Sequence, residues 1–364
     1  MCKLQKALYG LKQSARRWNE TFGKELKKLG LEQSQSDPCL YTHANGSLYL
    51  ALYVDDCYIA AKDEQTLNQT IESLSAEFDV TISEGRCFLG IEIEWSDNQV
   101  LLHQSRYVQQ ILARFNMRDC NTCESPAETG LKLEKGAEPN LTKFPYKELV
   151  GALMFIAVWT RPDICYIVSV LAQYYDFATD THVKAAKRVL RYLAGTPRRG
   201  VRYGGESKQV LVGYSDADYA GDIESRHSRS GVVFMVNNGP VTWMSHLQTC
   251  VATSTCEAEM GAAFEAAKQA VWLRKLLPDF GLGVINSIPL MIDNQGTVYI
   301  IRSNASAYKR TKHWDIKFRY TQQQEESGVI KVQHVRSNEQ LADILTKPLD
   351  PTRFKTILKL MNMI

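Results

Sequence analysis

Tyr214-Ser-Asp-Ala-Asp-Tyr-Ala-Gly221 follows an apolar run that starts at Val210, and together they read as a strand ending on an acid. From residue 209 the apolar period changes from 3.6 to 2. Strands are expected over 210–215, 231–236 and 241–245, the last two joined by the turn signal Asn237-Asn238-Gly239. A long helix is expected over about 255–277, then a strand over 288–292 and a short helix after Gln295. A helical segment around 315–325, a strand over 329–335 and a helix over 339–347 complete the series. The order βββαβαβα, a hairpin meander followed by alternating strands and helices, implies a mixed sheet covered by helices.

Four acids in this block stand where element ends can bring them together. Asp216 closes the first strand, Glu259 lies in the long helix, Asp293 follows the fourth strand and Asp343 lies in the last helix. Phosphodiester hydrolysis with two metal ions needs such a cluster, because hard divalent cations prefer carboxylate oxygens and a pair of them clamps both the attacking and the leaving oxygen. Any one of these acids alone would read as a solvated side chain. Glu257 and Glu259 point to nearly opposite faces of a helix and cannot both serve one site. Ser254-Thr-Cys-Glu257 matches a capping box that would turn Glu257 back on the helix N-terminus, which makes Glu259 the better ligand of the two.

The text around the acids carries a family resemblance. Tyr214–Gly221, Ser254-Thr-Cys-Glu-Ala-Glu-Met260, Ile292-Asp-Asn-Gln295 and Asn338-Glu-Gln-Leu-Ala-Asp-Ile-Leu-Thr-Lys-Pro-Leu349 resemble the ribonuclease H domain of copia-type retrotransposon polyproteins. The resemblance implies Mg2+- or Mn2+-dependent cleavage of the RNA strand of RNA/DNA hybrids, with the metal ligands at Asp216, Glu259, Asp293 and Asp343. Met260 stands where the family usually has Tyr, and Tyr219 where it often has Trp. His334 alternates with Val332 and Ile330 and reads as a packed strand residue rather than a catalyst; His313 and Trp314 read as packing or substrate-facing. The basic run Lys309, Arg310 and Lys312 either contacts the phosphates of the hybrid or forms a solvated loop.

The N-terminal part carries a second signal. Trp18, Phe22 and Leu26 share one helical face within 4–31, Asn45-Gly46 marks a hairpin, and Tyr53-Val-Asp-Asp56 is a tight turn between apolar strands, the second over 57–61. Such a turn can aim Asp55 and Asp56 at one cleft, whereas a strand would send them to opposite faces. A helix over 64–78 and a strand over 88–93 complete an α+β unit. Lys3-Leu-Gln-Lys-Ala-Leu-Tyr-Gly-Leu-Lys-Gln-Ser-Ala-Arg-Arg-Trp18, Ser36-Asp-Pro-Cys-Leu-Tyr41 and Phe88-Leu-Gly-Ile-Glu-Ile93 resemble the reverse transcriptase of the same family. That resemblance makes Asp55 and Asp56 palm metal ligands, sets Gln13 near the templating pair and Tyr53 in the metal turn, and makes Phe88, Leu89 and Gly90 part of the primer grip on a primer-template nucleic acid. The family's remaining palm acid lies upstream of its Leu-Tyr-Gly-Leu-Lys segment, so polymerisation is not expected of the chain as it begins at Met1, and the upstream part of the polyprotein is a candidate partner.

Helices are expected over 146–159, 162–177 and 182–193, after a Pro/Gly/Glu-containing linker at 125–140. The fold class expected is therefore α/β and α+β. It comprises a partial reverse transcriptase palm over 1–124, a helical thumb or connection over 125–205, a ribonuclease H domain over 206–350 and a C-terminal tail over 351–364. Among 364 residues a net charge of +3 carries no nucleic-acid signature of its own, so recognition has to be local. Nine scattered cysteines and the lack of a signal-peptide pattern point to a reducing, intracellular setting, and Cys120 with Cys123 lacks the second pair that a zinc site needs. The most apolar runs, 47–61 and 149–158, are broken well short of the roughly 20 residues of a membrane span. The rival to a hybrid nuclease is an inactive or domesticated nucleic-acid-binding remnant of the element.

Overall fold

The computed structural model describes residues 7, 8, 10–138, 143–205, 211–303 and 314–363, with the backbone alone at 312 and 313. The chain forms two compact units, Met1–Phe88 with Val271–Ile285, and Leu89–Ala270 with Asn286–Ile364.

In the first unit a four-stranded antiparallel sheet runs in the order Leu31–Gln33, Leu40–His43, Leu48–Tyr53, Asp56–Ala61. The period-2 pattern of Leu48, Leu50 and Leu52 buries one face of the third strand. Against that face pack Phe22 and Leu26 of helix Ser14–Lys28 and Leu74 of helix Glu64–Glu77, with Trp18 stacked on Phe22. The helical face read from Trp18, Phe22 and Leu26 is the face observed. Asn45 sets the hairpin turn, its Oδ1 accepting from the Ser47 amide while Gly46 sits at φ +64.

The second unit holds a five-stranded sheet in the order Gly239–Leu247, Arg229–Val236, Leu211–Asp218, Ile288–Ile292, Ile330–His334. The first three strands are antiparallel, and the last two run parallel to Leu211–Asp218 and to each other. This is the mixed sheet expected from βββαβαβα. Val232, Val233 and Phe234 are all inaccessible, as befits a strand covered on both faces. One apolar core runs from Val212, Val233 and Met235 of the sheet through Leu153, Ile156, Val168, Leu171 and Val189 of helices Tyr146–Trp159, Cys165–Ala172 and Asp180–Gly195. At its edge Arg161 and Asp163 form an ion pair that is 1% and 2% exposed, closed by Tyr192 Oη on Asp163 and by Thr196 on Arg161.

Several expectations need correction. Residues 88–93 do not form one strand: Leu89 and Gly90 take φ of +52 and +78, which no extended strand accommodates, so Cys87–Phe88 and Ile91–Ser96 are separate. Ile91–Ser96 pairs with Gln99–His103, which pairs with Val201–Gly204; neither of these partners was expected. The helix over 339–347 is instead two 3₁₀ turns, Ser337–Glu339 and Leu341–Leu345. Pro348 lacks the amide that an α-helix would need and disfavours helical backbone at Lys347. The stretch read as a tail contains helix Pro351–Leu360, capped by Asp350 and burying Phe354, Ile357 and Leu358 in the main core. Among the described residues no helix is long and apolar enough to cross a membrane.

Candidate metal centre

The site is assembled at the ends of the parallel strands. Asp216 lies inside the central strand, opposite Gly231, rather than at the strand's last residue. Met291 is level with Tyr214, so two residues further along, past the end of its strand, Asp293 comes level with Asp216. Asp343 arrives from the other direction on the turn Leu341–Leu345. Gly231 admits that turn: a Cβ there would stand 2.7 Å from Thr346 Cγ2 and 2.9 Å from the Ala342 carbonyl oxygen. The result is that Asp216, Asp293 and Asp343 each offer an oxygen within 4.8 Å of the others.

Glu259 is not in that group of three but approaches from helix Thr255–Leu276, where the amide of Ala217, the residue after Asp216, donates to its carboxylate. It is 6% exposed, and its Oε2 has no hydrogen-bond partner among the described residues. Glu257 turns back toward the helix start as its capping position leads one to expect, but onto the Thr253 amide at 2.6 Å, one residue before Ser254, while its own amide donates to Ser254 Oγ. The choice of Glu259 over Glu257 therefore agrees with where the two side chains lie. Asp218, the other acid of the Tyr214–Gly221 motif, pairs across the sheet with Arg229 and stays outside the cluster.

Burial pushes the Asp216 carboxyl up to about 6; the neighbouring Lys347 pulls it down, Asp343 pushes it further up, and a hydrogen bond from Thr346 Oγ1 favours the charged form. Glu259 is raised well above the usual carboxylate range, first by burial and then by the charges of Asp216 and Asp293. A buried carboxylate without a partner, facing other carboxylates, is costly unless a cation completes it. All the donors are carboxylate oxygens, the set that hard ions such as Mg2+ or Mn2+ prefer. The residues present fit such ions.

Residues that sequence reading passed over support the acids. Lys347 Nζ lies 2.8 Å from Asp343 Oδ1 and 3.7 Å from Asp216 Oδ2. Ser337 Oγ donates to Asp293 Oδ2 at 2.9 Å, and Arg353 Nη2 lies 3.3 Å from Asp343 Oδ2. The spacing of Asp343 and Lys347, four residues apart in one motif, was the available signal for the lysine. His334 is not the packed residue expected: it is exposed at the end of its strand, level with Ile292, and borders an open cleft with Tyr299 and Arg302. Trp314 packs with Ala252 and Ala258. Lys309, Arg310 and the side chain of Lys312 lie outside the described residues, so neither reading of that run meets an observation.

In the first unit, Asp55 lies on the two-residue turn Val54–Asp55 and Asp56 opens the next strand opposite Tyr53; both acids are exposed, Val54 is at φ +52 and its carbonyl accepts from Trp18 Nε1. Among the described residues no third ligand joins them. Gln13 and Tyr53 are exposed, the Phe88 ring lies tilted against Tyr58, and Gly90 approaches Phe155 of its own unit.

Residues 1–129 match the family model described as "Reverse transcriptase (RNA-dependent DNA polymerase)". The whole chain is 36% identical to the "Retrovirus-related Pol polyprotein from transposon TNT 1-94" of Nicotiana tabacum, covering 28% of that protein. Over 73% of its length it is 30% identical to a putative transposon Ty5-1 protein of Saccharomyces cerevisiae, of which it covers 89%. The chain belongs to the copia-type retrotransposon Pol family. As a member it spans about a quarter of the length of the plant polyproteins it matches. The copia-type chain also shares its fold with a foamy viral protease-reverse transcriptase solved in complex with an RNA/DNA hybrid, with a TM-score of 0.50 and 12% identity over 91% of this chain and 39% of that one. The sequence resemblance to the family therefore holds from end to end, and the N-terminal part is reverse transcriptase-like.

Proposed function

We propose that the second unit of this copia-type chain is a hybrid-specific ribonuclease H, cutting the RNA strand of RNA/DNA duplexes at the centre formed by Asp216, Glu259, Asp293 and Asp343. The observation that carries the reading is the convergence of three carboxylates within 4.8 Å, with a fourth, Glu259, buried beside them and lacking a partner for Oε2. Divalent ions bound there would generate a nucleophile from water and neutralise the charge developing on the phosphate. The chain's own residues do the positioning. The central strand fixes Asp216, Ser337 orients Asp293, and the turn seated on Gly231 presents Asp343. Glu259 is held at the strand by the Ala217 amide. Recognition of the duplex would rest on shape and 2′-hydroxyl contacts along the face that carries these acids. The paired acids Asp55 and Asp56 find no third carboxylate among the described residues, which supports no polymerase step for this chain by itself.

The test is cleavage of a labelled RNA/DNA hybrid by the full chain with Mg2+ or Mn2+, set beside Asp216→Asn, Glu259→Gln and Glu257→Gln. Metal-dependent cutting lost in the first two and kept in the third supports the proposal. No cutting by the unaltered chain favours the non-enzymatic remnant instead. Loss in Glu257→Gln but not in Glu259→Gln would refute the ligand set.

A further inference from the structure

The acid cluster already holds a positive charge. Lys347 Nζ sits between two of the proposed ligands, 2.8 Å from Asp343 Oδ1 and 3.7 Å from Asp216 Oδ2. Resting on the reading above, we propose that Lys347 is a placeholder cation: its ammonium neutralises the cluster in the metal-free protein and has to swing outward before a divalent ion binds between Asp216 and Asp343.

Three observations support this. The first is position. An ion bound to the same oxygens at about 2.0–2.1 Å would stand within a few ångströms of the ammonium, where like charges repel strongly in a partly buried setting. The second is freedom to leave. The Lys347 side chain is 39% exposed, and its ammonium is held only by these two carboxylates among the described residues. Arg353 differs: it also reaches Asp343, but its guanidinium is tied to the carbonyls of Ser337, Asn338 and Gln340 and its side chain is 18% exposed. Arg353 is therefore a fixed strut, whereas Lys347 can pivot on its four-carbon stem into solvent. The third is need. Without Lys347 or another cation, Asp216 would be buried beside Asp293 and Asp343 with only Arg353, on the other oxygen of Asp343, to offset their charge, a situation that proteins relieve with a cation.

The sign of one measurement separates a placeholder from a strut. Binding of Mn2+ alone to the full chain is measured by titration calorimetry for the unaltered protein, Lys347→Met, Lys347→Gln and Lys347→Arg. The expected result is a dissociation constant at least about tenfold lower in Lys347→Met and Lys347→Gln, equivalent to about 1.4 kcal/mol, with Lys347→Arg close to the unaltered chain. The same two neutral variants should melt lower than the unaltered protein in EDTA and gain more from added Mn2+. If Lys347 only braces Asp343, its loss weakens Mn2+ binding, and that outcome, like an unchanged constant, overturns the proposal. Lys347→Gln keeps the stem and a hydrogen-bond donor, so a folded neutral variant remains if Lys347→Met does not fold. Tight Mn2+ binding by the unaltered chain with no gain in the neutral variants sinks this inference and leaves the nuclease reading standing. No Mn2+ binding by any variant removes both.

Discussion

Replacing Asp216 by Asn should make the metal-free protein more stable while removing its proposed activity. Asp216 is 2% exposed, and its carboxyl is raised from an ordinary value of 3.8 to about 6. A folded-state value above the unfolded one means that the native chain binds the proton more tightly. Keeping Asp216 charged therefore works against folding at every pH above about 4. A shift of about 2 units at about 1.4 kcal/mol each gives a penalty of about 3 kcal/mol at pH 7.5, which shrinks to under about 1 kcal/mol at pH 4, where the folded carboxyl is already protonated. Asn resembles the protonated acid and can still accept from Thr346 Oγ1, so most of the penalty should be recovered. At roughly 2–4 °C per kcal/mol for a unit of this size, the variant should melt several degrees higher in EDTA at pH 7.5. Calorimetry at pH 4 and pH 7.5, each with EDTA and with Mn2+, is the assay. Mn2+ should narrow the gap by stabilising only the unaltered chain. The reasoning fails if Asp216→Asn melts lower than the unaltered protein at pH 7.5 in EDTA, or if the gap is the same at both pH values.

Gly231→Ala would set a Cβ against Thr346 and the Ala342 carbonyl; about 1–3 kcal/mol of destabilisation in urea unfolding is expected, with weaker Mn2+ binding as the Asp343 turn moves off the strand. An unchanged unfolding midpoint with unchanged Mn2+ binding would show that the turn does not depend on that contact. Asp163→Asn leaves the Arg161 guanidinium buried without its carboxylate, and about 3–5 kcal/mol of stability should be lost in chemical denaturation. A loss under 1 kcal/mol would mean that Thr196 and Tyr192 alone satisfy the arginine.

Where local pattern and tertiary outcome agreed, the reason is that one short-range rule decided the matter. The alternation in Leu48, Leu50 and Leu52 and the 3.6-residue spacing of Trp18, Phe22 and Leu26 each define a face that has to be buried, and both faces are. The capping position of Glu257 favours Glu259 as the candidate ligand, and the Glu257 carboxylate is indeed turned back onto Thr253 just before its helix. Element boundaries were less legible. Gln99–His103 and Val201–Gly204 are strands through their partners, and the 97 residues of intervening chain carry no local trace of that pairing. Helix Pro351–Leu360 escaped notice because its apolar face is short, although it completes a core shared with helices far away in the sequence.

For this copia-type chain, then, the residue types and their order were enough to single out four acids as candidate ligands, since hard-ion chemistry admits few donors and the motifs around them resemble those of the family. Only the tertiary structure decided how those acids are held. The small volume at Gly231, the amide of Ala217, the hydroxyls of Thr346 and Ser337, and the charge of Lys347 converge on the centre from strands, helix and turns up to 131 residues apart, as with Asp216 and Lys347. Sequence periodicity records which face of an element is buried, whereas the electrostatic balance of a site depends on distances between elements that only packing sets.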